Sequence, residues 1–98
     1  MLLTNAATAG IEQSNDIMVK IAPAKPGEGI RITLRSPVMP QFGRAIESLI
    51  RQTLVEQGVT DVTVDATDQG ALDYTVRARV LAALSRAGAL ATPTRGAP

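Results

Sequence analysis

Ile30-Arg31-Ile32-Thr33-Leu34-Arg35 alternates aliphatic and polar residues without a break. A period of two places Ile30, Ile32 and Leu34 on one face of an extended strand and the two arginines with Thr33 on the other, so the chain is bound to build a sheet with one buried face. Ile17, Val19 and Ile21 repeat the pattern against Met18 and Lys20. Between these runs lies Pro23-Ala24-Lys25-Pro26-Gly27-Glu28-Gly29, whose two prolines and two glycines define a loop. Successive strands joined this way are predicted to pair antiparallel as a hairpin. Phe42 and Tyr74 are the only aromatic residues, so the core must be assembled from Ile, Val, Leu, Met and Ala.

After Ser36-Pro37-Val38-Met39-Pro40 turns the chain, Phe42, Ile46, Leu49, Ile50 and Leu54 recur with helical spacing. Pro40 suits the first turn of that helix and Gly58 its left-handed end. Asp61 to Ala66 alternates again, and Thr67-Asp68-Gln69-Gly70 forms a turn. The next stretch satisfies both periods. Leu72, Tyr74 and Val76 alternate as in a strand, whereas Val76, Val80, Ala83, Leu84 and Ala87 share a helical face. Two assignments follow: a strand over 71–76 leading into a helix over 77–87, or a single helix over 71–87, either one ended by Gly88. The predicted fold is therefore α+β, a small antiparallel sheet of three to four strands with two helices packed on one face, ordered ββαββα or ββαβα. Residues 1–15 read as a flexible leader, 16–88 as a single domain and 89–98 as a disordered tail.

Composition excludes several functions. The chain has no cysteine and no histidine, the residues that most readily provide a nucleophile and a proton relay near neutral pH. Any reactive group must be brought to it. Ten basic and nine acidic residues give a net charge of +1 and, with two aromatics, leave neither the field nor the stacking platforms of a nucleic-acid-binding protein. No apolar run approaches the ~20 residues of a membrane span, and Met1 to Asn5 lacks the character of a signal peptide, so a cytoplasmic location is expected. Asp65, Asp68 and Asp73 cluster near the Gly70 turn, but their spacing matches no metal loop and suits turn chemistry. Arg77 and Arg79 read as solvated charges or as a site for a phosphate-bearing cofactor or partner.

An exposed serine on a mobile segment is a natural place to attach such a group, and Ser14 lies in the leader. By itself Gln13-Ser14-Asn15-Asp16 is a turn. The longer stretch from Ala9 through Ser14 to Pro23, together with Gln41-Phe42-Gly43-Arg44-Ala45-Ile46, Asp68-Gln69-Gly70-Ala71-Leu72-Asp73 and Arg77-Ala78-Arg79, resembles the acyl carrier protein (gamma chain) of citrate lyase. The likeness extends from about Ala9 to Ala87. It implies that Ser14 carries, through a phosphodiester, a 2'-(5''-phosphoribosyl)-3'-dephospho-CoA group whose thiol holds acetyl or citryl units. A prosthetic-group transferase would load it. The implied partners in the complex are the alpha (transferase) subunit, which exchanges acetyl for citryl, and the beta (lyase) subunit, which releases oxaloacetate. The chain would be carrier to both and catalyst of neither, with no nucleic acid and no membrane involved. Carriers of citramalate lyase and malonate decarboxylase use the same kind of group, the latter fitting less well over Gln41 to Ile46. An unmodified scaffold subunit is the rival from another class. The helical carriers of fatty-acid synthesis, with Asp-Ser-Leu before an acidic helix, are not resembled.

Overall fold

The computed structural model describes residues 3–88. Along the chain run β1 (Ala7–Ala9), β2 (Ile17–Pro23), β3 (Ile30–Arg35), α1 (Met39–Glu56), β4 (Val62–Asp68) and α2 (Asp73–Arg86). The class is α+β as expected, with four strands and two helices. The sheet, however, is mixed, in the order β1-β2-β4-β3.

β2 and β3 do not pair with each other. β4 lies between them, antiparallel to β2 and parallel to β3. The 24–29 loop therefore spans two strand spacings, about 9.5 Å, where a tight hairpin spans one. Asp61, just ahead of β4, holds this wider loop open by accepting the Gly27 and Gly29 amides at 2.8 and 2.9 Å. Those amide donors, Gly29 first, and the Thr60 hydroxyl hold the Asp61 carboxyl below its ordinary range. The parallel pairing follows from α1: a parallel neighbour needs a crossover of a dozen or more residues, and α1 supplies eighteen.

Register sorts the two faces. Val19 and Leu34 flank Ala66, while Ile21 and Ile32 flank Val64. This apolar face meets Ile46, Ile50 and Leu54 of α1 and Val76, Val80, Ala83 and Leu84 of α2. The opposite face sets Lys20, Thr33 and Asp65 in one row, and there Arg35 pairs with Asp65.

α1 follows its sequence signals, with Pro40 in the first turn and Gly58 at φ +76°. The amides of Gly58 and Val59 reach the carbonyls of Val55 and Leu54, both at 3.0 Å, closing the helix end with a Schellman motif. Phe42 leaves the predicted face: it is 53% exposed, and Gly43 is buried in its place. In the 71–87 stretch the single-helix assignment holds. Asp68 turns the chain before a strand can extend, accepting the amides of Gly70 and Ala71 at 3.2 and 2.9 Å. The helical set Val76, Val80, Ala83, Leu84 and Ala87 is buried, whereas Leu72 and Tyr74, which a strand would have buried, are exposed.

The leader expected over 1–15 contains a strand. β1 pairs antiparallel with β2, and Ala9 is buried in the core. Thr4 ties the same segment to the end of α2, its amide and hydroxyl both donating to the Ala87 carbonyl at 2.9 Å. The tail expected over 89–98 lies outside the described residues.

Candidate attachment site

Ser14 stands in the loop of the β1–β2 hairpin, residues 10–16, exposed to solvent. The loop begins at Gly10, whose φ of +83° carries the chain out of β1. A Cβ there would lie 1.9 Å from the Ile17 carbonyl oxygen and 3.2 Å from Cδ of Arg79, so this backbone approach admits only glycine. At the other end Asn15 takes the left-handed conformation, φ +67°, which asparagine tolerates better than most residues. The Asp16 amide donates to the Gln13 carbonyl at 3.0 Å, closing a turn with Ser14 at its crest.

Three attachments hold the turn to the body of the domain. The Asn15 amide donates to the Gln69 carbonyl at 2.7 Å, and the Gln69 amide donates to the Asp16 carbonyl at 2.9 Å. The third is ionic. Arg79 of α2 donates Nε and Nη2 to the two carboxylate oxygens of Asp16 at 3.0 and 2.9 Å, a bidentate pair whose planar geometry fixes direction as well as distance. Asp16 also accepts the Ile17 amide at 2.7 Å. The Arg79 guanidinium, with that amide, holds the Asp16 carboxyl below its ordinary value, and Asp16 in turn raises Arg79. Ser14 itself is left free: its hydroxyl has no hydrogen-bond partner among the described residues. With no base bonded to it among the described residues, it is by itself a poor nucleophile.

Arg79 is thus a positioning residue for the Ser14 loop. Arg77 is committed elsewhere, to Glu56 at the end of α1, at 2.6 Å; that contact, reinforced by Gln52, lowers the Glu56 carboxyl. The three acidic residues do not meet as a metal site. Asp65 pairs with Arg35, Asp68 accepts the Ser36 hydroxyl at 2.8 Å besides its two amides, and Asp73 opens α2. No group of three or more potential ligands is gathered among the described residues.

Beside the loop opens a cleft of about 590 Å³ between the first turns of α1 and α2. Phe42 and Ile46 form one wall, Ala71, Leu72 and Tyr74 the other, and Gly70 lies where the cleft meets the Ser14 turn. A Cβ on Gly70 would sit 3.8 Å from Oδ1 of Asn15. Gln69 and Gly70 of the Asp68–Asp73 segment and Arg79 of the Arg77–Arg79 segment therefore meet the Ser14 turn, while Phe42 and Ile46 of the Gln41–Ile46 segment line the cleft that Gly70 borders. Sequence reasoning singled out those segments but missed the Asp16–Arg79 pair, the requirement for Gly10 and the cleft. The local signal was Gly10 ahead of a strand; Phe42 and Tyr74 gave none, because each also fitted an apolar face in the sequence.

The fold and the turn define a small α+β domain that presents an exposed serine hydroxyl on a held hairpin loop. The family model described as "ACP: Malonate decarboxylase delta subunit (MdcD)" matches residues 4–87. The citrate lyase acyl carrier protein of Lacticaseibacillus casei is 46% identical over 87 residues, covering 89% of this chain and 84% of its own length. That of Streptococcus uberis is 47% identical over 90 residues, covering 92% and 87%. A chain of a Pseudomonas malonate decarboxylase hetero-tetramer, solved in complex with malonate, superposes with a TM-score of 0.74 over 90% of this chain and 89% of its own; at 22% identity the likeness concerns the fold. The chain belongs to the citrate lyase acyl carrier protein family, as a non-catalytic carrier subunit.

Proposed function

We propose that this chain is the acyl carrier of a citrate lyase, and that Ser14 bears a 2'-(5''-phosphoribosyl)-3'-dephospho-CoA group in phosphodiester linkage. The observation that carries the reading is the coincidence of 46% identity to a citrate lyase acyl carrier protein with an exposed, unbonded Ser14 hydroxyl on a held turn. The residues suit such a group. Ser14 offers the one atom the linkage needs, no acidic side chain bonds to it, and the loop is fixed by contacts that leave the serine outside them. When bound, the group supplies the thiol that the sequence lacks, able to hold an acyl unit as a thioester. The domain's own part is positional. Asp16, Arg79 and Gln69 keep the serine on a rigid platform, so a long arm rooted there presents the acyl unit to each partner at a high effective concentration.

The partners in this reading are an alpha (transferase) subunit, a beta (lyase) subunit and the transferase that loads the group, all cytoplasmic. Citrate is cleaved to acetate and oxaloacetate by those subunits while the chain carries the acyl unit. No helix among the described residues is long and apolar enough to cross a membrane. A second reading, the carrier of a malonate decarboxylase, is favoured by the description of the matching family model. Intact mass of the chain taken from its native complex tests attachment: a mass above 10.3 kDa, with the increment located on Ser14, is expected. Ser14→Ala is expected to fold normally and to abolish turnover. A bare serine in working complex, or normal turnover by the variant, overturns the proposal. Assay of that complex with citrate, citramalate and malonate separates the substrates.

A further inference from the structure

We infer that the cleft beside Ser14 seats the purine base of the carried group, stacked against Phe42 and Tyr74. This rests on the reading just given of what Ser14 carries. Two aromatics in 98 residues would ordinarily be spent on the core. Here both are outside it, 53% and 72% exposed, and both line the same cleft. Leu72, 59% exposed, adds a third apolar side chain to that surface. A volume of about 590 Å³ lies in the range of small-molecule sites, and an apolar lining suits a flat aromatic ring.

The tether selects the occupant. The Ser14 turn is bonded through Asn15 to Gln69, and the next residue, Gly70, borders the cleft. In the proposed group the phosphoribosyl unit joins the protein to the adenosine 2'-oxygen, so within the CoA portion the adenosine lies nearest the protein and the thiol farthest away. A short tether gives the base an effective concentration of roughly millimolar at the cleft. Stacking on an aromatic side chain is worth about 5- to 150-fold in affinity per base, to which burial in the apolar cleft adds. Seating the base leaves the pantetheine arm free, and shortens the swinging part to the segment that must reach partner active sites. The Asp16–Arg79 pair then has a second consequence, because it keeps the root of the tether in fixed register with the cleft.

The chain has one tyrosine and no tryptophan, so its emission comes from Tyr74 alone. The test compares apo protein, protein loaded on Ser14 and verified by mass, and loaded Phe42→Ala with its fold checked by circular dichroism. Loading is expected to reduce Tyr74 emission about twofold or more and to move the purine H2 and H8 resonances upfield. Phe42→Ala is expected to reverse much of both changes without affecting the attachment. A mass-verified loaded protein with the emission of apo protein and the base resonances of the free group overturns the inference while leaving the carrier reading intact. A bare Ser14 in active complex defeats both. Loss of partner subunits on substitution in the cleft, with unshifted base resonances, makes the cleft a protein-docking surface and also overturns it.

Discussion

Replacing Gly10 by alanine separates a free leader from a built hairpin. In a structureless leader the change is neutral, or slightly stabilising, because alanine reduces the freedom of the unfolded chain. The structure demands the opposite. At φ +83° an L-residue bears a left-handed penalty of about 1–2 kcal/mol. The new Cβ would also lie 1.9 Å from the Ile17 carbonyl oxygen, well inside van der Waals contact and against backbone that cannot rotate away. Relief requires the end of β1 to move off β2, and over-packing of that kind costs about 1–3 kcal/mol more. The expected loss is therefore about 2–5 kcal/mol, the sum of those two costs. For a domain of this size each kcal/mol lowers Tm by about 4–8 °C, so Gly10→Ala should melt at least about 8 °C below the parent chain. Thermal and urea unfolding followed by circular dichroism measure this directly. A Tm within a degree or two of the parent would refute the hairpin as the reason for Gly10. Because the new Cβ would also approach Cδ of Arg79, Gly10→Ala should disturb the Asp16–Arg79 pair as well, whereas Ser14→Ala should leave Tm unchanged.

Asp16→Asn should lower Tm most at neutral pH. The folded Asp16 carboxyl titrates below its ordinary 3.8, so its contribution is complete above that value and is lost as pH falls through the lower folded value; the Tm gap to the parent should close in that acid window. Asp68→Ala leaves two loop amides and the Ser36 hydroxyl without their acceptor in a buried position, and urea unfolding should show a loss of about 2–4 kcal/mol. Leu84→Ala in the core should cost about 2–5 kcal/mol, whereas Tyr74→Ala should stay within about 0.5 kcal/mol, although both residues lie in α2.

The periodic part of this fold was legible because alternation records which face is buried. Ile17, Val19, Ile21, Val62, Val64 and Ala66 are buried as their spacing requires, and the helical set from Val76 to Ala87 is correct residue by residue. What alternation cannot record is the neighbour. Ile32 faces the helices equally well beside Ile21 or beside Val64, so antiparallel hairpin and parallel crossover share one pattern. The choice lies outside the strands, in the length of α1 and in Asp61 reaching across to Gly27 and Gly29. β1 was missed for a related reason. Three residues, Ala-Thr-Ala, are too short and too small to show a period, and their strand is made by pairing with Ile21, Lys20 and Val19.

The site divides in the same way. Ser14 is singled out in the sequence because a chain without cysteine or histidine has no thiol or imidazole of its own and because its surroundings resemble a family; the structure adds that it is exposed on the β1–β2 turn. Its rigidity was not, because Asp16 and Arg79 are 63 residues apart and nothing local joins them. Yet that pair changes what carrying requires of the domain. A serine on a mobile leader would spread the root of its arm over many directions, and each partner would have to select one. A serine on a turn fixed by a bidentate ion pair and two amide bonds has already made that selection, so in the proposed loaded carrier flexibility is needed only beyond the attachment. Arg79→Leu therefore should not simply weaken the domain. It should leave the serine present and modifiable while widening the loop's motions, seen as faster amide exchange at Asn15 and Gln69, and transfer to the partner subunits should slow more than loading does. Equal exchange rates in variant and parent would show that the two amide bonds hold the turn without the ion pair.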